Sequence, residues 1–357
     1  MLNNLTIVII TYNRPCFLKR LLTFYQEFKT EMKILVLDSS SSESLDNNLI
    51  NQLKSKNITW KRYDQSIFFV DKISQGVKYI DTKYAVLCAD DDFLFPTSLD
   101  KAIDFLSNNN DYSSCLGLQY KHKVYDFFFK SKVAFRRSAI GGSGSSEELC
   151  SERVFKYLSG GTVYYPMYAV HSTEHLTEIW KETGKVVSDW GLSEVFPCSV
   201  SLCLGKMKVL KIPYTTRETN SFTWYDDSRK KEMYSPNKVD IVKARLAEII
   251  SKKDNVSIFK GIEYSEKSID VLLQRTLNNG EYDSMLKVIN KRNKLKEFIF
   301  SFITKHATQA VVFVKYYIIY RATPLKYLSV KTGDHLRDSL LYNDCSQSEN
   351  ANSRKDY

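Results

Sequence analysis

The sequence has no Cys-x-x-Cys pair, and its seven cysteines are an odd number. Several stand inside apolar runs, as in Val86-Leu87-Cys88-Ala89. This usage argues against a disulfide framework or a cysteine zinc site and fits buried thiols in a reducing compartment. No uncharged stretch approaches the ~18–20 residues that a membrane span needs. The N-terminus, MLNNLTIVIITYNRP, lacks a basic n-region and a small-residue cleavage site, so it reads as a strand rather than a signal peptide. The expected location is cytoplasmic, with the inner face of the plasma membrane as a variant of that expectation. The glycines of Ile140–Ser146 are not followed by Gly-Lys-Ser/Thr, which excludes a P-loop and leaves a mobile lid or a plain linker. His171 and His175 are four apart without the Glu of a His-Glu-x-x-His zinc motif. There is no internal repeat.

What is present fits a folded protein, with 43% hydrophobic and 26% charged residues. The net charge of +10 suits an anionic partner. No nucleic-acid-binding motif accompanies it, so no nucleic-acid partner is expected.

Leu5–Thr11 is a continuous β-branched run, as expected of a strand buried on both faces. Tyr12-Asn13-Arg14-Pro15 breaks it, and Pro15 suits the first turn of a helix. Met32–Leu37, Ile58–Tyr63 and Tyr84–Ala89 repeat the strand pattern, with a helical pattern over Phe69–Ile80 and a polar loop and helix over Ser41–Lys56. This alternation predicts a doubly wound α/β sheet, whose ligands bind at the carboxyl ends of the strands. Polar groups collect at those ends: Thr11 to Arg14, Asp38, Asp64, and the run Asp90-Asp91-Asp92.

Further on, Val124–Arg137, Tyr164–His171 and Lys208–Ile212 read as strands, and Glu147–Leu158 and His175–Thr183 as helices. Asp189–Leu204 reads as a helix kinked or restarted at Pro197. Past about residue 225 the pattern turns helical, over Val239–Ile250, Ser265–Leu277 and Tyr282–Val288. The expected organisation is a domain over 1–225, with a nucleotide-binding half 1–100 and an acceptor half 101–225. A mainly helical region over 226–333 and a disordered tail over 334–357 follow.

Three consecutive carboxylates repel one another and need compensation. A divalent cation, Mn²⁺ or Mg²⁺, supplies it and bridges to a diphosphate; a solvated acidic turn or a helix cap is the plainer reading. Arg217, near the end of the last predicted strand, can hold phosphate oxygens bidentately or form a surface ion pair.

TIVIITYNRP, LVLDSS and YAVLCADDDFLFP, in this order and spacing, resemble the nucleotide-binding half of family 2 glycosyltransferases of GT-A fold, over about residues 5–100. The nearest likeness is to a divergent bacterial subgroup with an Asp-Asp-Asp motif linked to surface polysaccharide assembly. The resemblance implies transfer of a sugar from a nucleotide-diphosphate donor to a glycan or lipid-linked acceptor, usually with inversion. It implies a mixed sheet with Thr11, Tyr12 and Arg14 lining the nucleotide pocket, Asp38 at the base or ribose, and Lys72 near the nucleotide. Aligning on Pro96 puts Ala89 where the family has its first Asp. Asp91 and Asp92 are then the metal ligands, and Asp90 contacts the sugar or ribose. The catalytic base falls in Ser188-Asp189-Trp190-Gly191-Leu192-Ser193-Glu194: Asp189 first, Glu194 second, with a helix cap as the alternative for Asp189. Residues 287–321 mix Lys and Arg with apolar side chains. They can lie in a membrane interface as a peripheral contact, or pack on the catalytic domain or in a homodimer interface. The competing functions are a nucleotidyl- or phosphotransferase and a non-catalytic sugar-nucleotide-binding scaffold.

Overall fold

The computed structural model describes residues 1–28, 31–41, 57–127, 130–135, 142–161, 165–188, 192–218 and 236–277. Residues 123–127, 130–135, 236, 276 and 277 are described by their backbone alone. Among the described residues nine strands form one mixed sheet, in the order Ile58–Arg62, Lys33–Asp38, Leu5–Thr11, Tyr84–Ala89, Val170–Ser172, Tyr112–Phe127, Lys206–Glu218 and Asp92–Leu94, with Lys130–Phe135 paired to Tyr112–Phe127.

The first half follows the alternation in the sequence. Strand β1 (Leu5–Thr11) leads into helix α1 (Pro15–Glu27), then β2 (Lys33–Asp38), β3 (Ile58–Arg62), helix α2 (Phe69–Gly76) and β4 (Tyr84–Ala89). Strands β3, β2, β1 and β4 are mutually parallel. Leu5, Ile7, Val8 and Ile9 are fully buried, as expected of a strand covered on both faces. The loop and helix expected over 41–56 lie outside the described residues after Ser41.

The second half is less regular. Strand β5 (Asp92–Leu94) is followed by helix α3 (Pro96–Asn108), β6 (Tyr112–Phe127), β7 (Lys130–Phe135) and helix α4 (Cys150–Leu158). Then come β8 (Val170–Ser172), helix α5 (Thr173–Val186), helix α6 (Val195–Leu204) and β9 (Lys206–Glu218). β6 and β9 run parallel with register shifts around Leu116–Leu118. Gly117 sits at this irregularity, where an added Cβ would lie 2.6 Å from the Ile212 carbonyl oxygen.

Three expectations are corrected. The strand expected over Tyr164–His171 is a 3₁₀ turn at Pro166–Tyr168 followed by the short β8, because Pro166 cannot donate to a ladder. Pro197 falls in the first turn of α6, where a missing N–H costs nothing, so it introduces no kink there. The end of the glycine-rich stretch is anchored rather than mobile. Ser145 is buried and exchanges two backbone hydrogen bonds with Met207.

Helices α7 (Pro236–Asp254) and α8 (Ile258–Leu277) share the core of the sheet domain through Val239, Val242, Leu246, Ile250 and Ile269. They also clasp α4. The Asp254 carboxylate accepts the N–H groups of Cys150 and Ser151 at 2.7 and 3.0 Å, at the start of α4. Arg275 donates to the Leu158 carbonyl at its end, at 2.7 Å. An anion at the N-terminus and a cation at the C-terminus complement the helix dipole. Among the described residues no helix is long and apolar enough to cross a membrane.

Candidate active site

Parallel register brings the site together. Asp38 lies opposite both Thr11 and Arg62, and Ile10 opposite Ala89. The carboxyl ends of β3, β2, β1 and β4 therefore present Arg62, Asp38, Thr11 and Asp90 as one row. The Thr11 hydroxyl donates to Asp90 Oδ2 at 2.8 Å.

The turn after β1 is stitched to the end of β2. Asn13 adopts a left-handed backbone (φ 52°), which Asn tolerates better than most residues. Its N–H donates to Ser40 Oγ, and its side-chain oxygen accepts from the Ser41 N–H, each at 2.8 Å. Half-buried Tyr12 stands at the same turn. Lys72 reaches in from α2 and donates to the Thr11 carbonyl and the Ser39 hydroxyl, both at 2.8 Å. Burial pulls its ammonium down to about 8, although Asp38 and Asp90 favour the charge. Lys72 is thus a staple under the floor of the cleft.

Asp38 is fully buried, and donors surround it. Ser40 N–H meets Oδ1 at 2.8 Å, while Trp60 Nε1 and Arg62 Nη1 meet Oδ2 at 3.0 and 2.8 Å. The sequence reading missed Arg62 and chose Asp64 at the end of β3. Asp64 is exposed and bonded to Ser66. Strand register, invisible in the sequence, is what selects Arg62.

The acid run is compensated by the protein's own cations. Arg14 Nη1 donates to Asp90 Oδ1 at 2.8 Å, and Nη2 to Asp91 Oδ2 at 3.2 Å. Arg217 Nε lies 3.1 Å from Asp92 Oδ2, because β5 and β9 place these residues opposite each other. Burial raises Asp90 to about 6 and Asp92 to about 7, against the pull of Arg14 and Arg217 respectively. Asp91 is the most exposed of the three, at 14% of its side chain.

Glu194, half-buried just before α6, is shifted upward by desolvation against the pull of Arg217. The same neighbourhood includes half-buried Tyr168, whose hydroxyl is pushed up by desolvation and by the Glu194 charge. Arg217 lies 5.4 Å from the Tyr168 ring. Asp92, Arg217, Glu194 and Tyr168 therefore share one wall of the cleft. Tyr168 was missed because the sequence reading placed it in a strand. Asp189 lies outside the described residues.

Among the described residues no three metal-type side chains converge. The donor chemistry fits a hard cation shared with a ligand: Mg²⁺ and Mn²⁺ accept one or two carboxylates and complete their shell with water and phosphate oxygens. Asp91 and Asp92 could supply those carboxylates.

The mixed α/β sheet, with acids and guanidiniums gathered at its strand ends, fits a GT-A fold. Residues 6–166, a little under half of the chain, match the model of Glycosyl transferase family 2, which supports a glycosyltransferase. No curated protein matches it. Among solved structures it is similar to S. aureus TarS 1–349 in complex with UDP, at 14% identity and a TM-score of 0.48, over 94% of this chain and 89% of that one. The complex of TarS 1–349 with UDP-GlcNAc gives 12% identity and a TM-score of 0.43, over 78% and 92%. A further S. aureus TarS structure gives 13% identity and a TM-score of 0.43 over 75% of this chain, which spans only 54% of that one.

Proposed function

We propose that this glycosyltransferase moves a sugar from a nucleotide-diphosphate donor to a hydroxyl of a glycan or lipid-linked acceptor, with inversion. The observation that supports it best is the row Arg62–Asp38–Thr11–Asp90 continued by the pairs Arg14–Asp90/Asp91 and Asp92–Arg217. The nucleoside lies along the first part of the row, over the Asn13–Ser40 turn. With both its oxygens engaged, Asp38 shapes this pocket and orients Arg62 and Ser40 toward the base or ribose. Tyr12 lines the pocket, and Lys72 fixes its floor.

The diphosphate lies over the acid run. Arg14 and Arg217 are the guanidiniums that can take its oxygens, freeing carboxylate oxygens as they turn. Mn²⁺ or Mg²⁺ held by Asp91 and Asp92 would offset charge on the departing nucleoside diphosphate. Asp90, held by Thr11, contacts the sugar or ribose. The acceptor oxygen attacks the anomeric carbon from the face opposite the phosphate, the bond to the phosphate oxygen breaks, and a carboxylate takes the hydroxyl proton. Asp189 has that role by family resemblance. Glu194 is its companion, a carboxyl that desolvation shifts upward and so makes a stronger base. The setting we infer is bacterial surface polysaccharide assembly at the inner face of the membrane, with residues 287–321 as the peripheral contact.

Thermal-shift titration with UDP-, GDP-, CDP- and dTDP-sugars, with and without Mn²⁺, tests this reading. One nucleotide should stabilise the chain in proportion to the logarithm of its concentration above its Kd, more strongly with the metal. No shift with any of the four rules out the donor site. A shift without turnover on glycan or lipid-linked acceptors points to a binding scaffold instead.

A further inference from the structure

Behind the wall that carries Asp92 and Arg217 lies a buried charged cluster. Arg20, on α1, is 1% exposed and donates from Nη2 to Glu218 Oε2 at 2.6 Å, across 198 residues of sequence. His122 on β6 lies opposite Glu218 in register, with Nε2 at 3.7 Å from the same oxygen and Nδ1 at 3.0 Å from Thr216 Oγ1. The Arg20 guanidinium stands 5.4 Å from the Phe93 ring and 4.9 Å from the Phe17 ring.

Strand alternation ties this cluster to the site. Successive residues point to opposite faces, so Asp92 and Arg217 share the front while Phe93, Thr216 and Glu218 share the back. Arg20 therefore touches the immediate neighbour of each member of the Asp92–Arg217 pair. Arg14 stands against the same Phe17 ring, at 4.0 Å. A buried ion pair adds little net stability over apolar residues of the same size, yet it holds its partners in one geometry when its hydrogen bonds are made. Resting on the donor reading above, we infer that Arg20, Glu218 and His122 are positioning residues for the donor diphosphate. They lock the β5–β9 edge so that Arg217 meets the diphosphate beside Asp92, and they set the spacing between Arg217 and Arg14.

A binding cycle separates this role from plain structural support. The tightest-binding of UDP, GDP, CDP and dTDP, with Mg²⁺, is titrated by calorimetry into the full chain. Glu218→Gln should weaken binding about tenfold in the wild-type background and less than about twofold in an Arg217→Gln background, since coupled residues are not additive. Arg20→Lys, which keeps the charge but loses the fork, should give the same non-additive pattern and decides the matter if Glu218→Gln does not fold. Losses that add in full, or wild-type affinity in both variants, overturn the positioning role alone. A wild-type chain that binds none of the four nucleotides overturns the donor reading, and this inference with it.

Discussion

The two halves of the sheet build their walls of the cleft differently. β1 to β4 are parallel and nearly consecutive in the chain, with β1, β2 and β4 buried, and their polar residues line up because each strand ends at the same level. The wall formed by β5, β9 and the turn before α6 joins segments more than a hundred residues apart, held by antiparallel pairing, ion pairs and a buried charged cluster. The first wall is a floor for a nucleoside, rigid by repetition. The second is an assembly, and it carries the groups closest to the chemistry. Turnover should therefore depend on the second wall far more than on the first.

The largest expected effect is on the acid run. Asp91→Asn or Asp92→Asn should lower turnover by about 100-fold or more, the usual cost of losing one preorganised charge at a reacting centre. Donor consumption by folded protein checks it, and full activity of both variants would remove the acid run from the mechanism. A paired experiment then tests the division of labour. Arg217→Gln should weaken nucleotide binding about tenfold and also lower kcat about 100-fold, whereas Arg62→Met should raise the nucleotide Kd about tenfold and leave kcat near wild type, as loss of uniform binding does. A kcat near wild type in Arg217→Gln, or a large loss of kcat in Arg62→Met, would break the comparison.

Next comes stability. Leu246→Ala, at a fully buried position of α7, should cost about 2–5 kcal/mol in urea unfolding, as core truncations do. A single shifted transition would show that the helices unfold with the sheet, and two transitions would show separate units. The smallest effect concerns pH. Asp90 and Asp92 are raised to about 6 and about 7, so between about pH 4 and 7 these two carboxyls hold more protons in the folded donor-free chain than in the unfolded one. Their contribution to stability should fall as pH climbs through that window, opposed by His122, His171 and His175, which desolvation holds below the usual histidine range. Asp92→Asn should remove its share of the fall. Urea midpoints at pH 4.5 and 7.5 measure it, and parallel slopes would show that Asp92 does not titrate there.

The legibility of the sequence divides along the same line. LTIVIIT, YAVLCA and the turn TYNRP announce strands, order and strand-end polarity, because local periodicity decides them. Thr11, Arg14 and Asp90 were found this way and lie in direct contact. Arg62 was hidden behind Asp64, since only register distinguishes two polar residues at a strand end. Arg217 was legible as a cation, but its partner Asp92 was not, because β9 had to be paired with β5 first. Nor was it evident that Arg14 and Arg217 would neutralise the acids.

The clasp around α4 has its own consequence. Asp254 and Arg275 grip the two ends of that helix from one hairpin, so the distance between them acts as a ruler on its length. One residue inserted or deleted within Cys150–Leu158 would move one end by ~1.5 Å and rotate it by ~100°, leaving one grip empty. Evolution can lengthen the loops on either side, but α4 and the hairpin must change together.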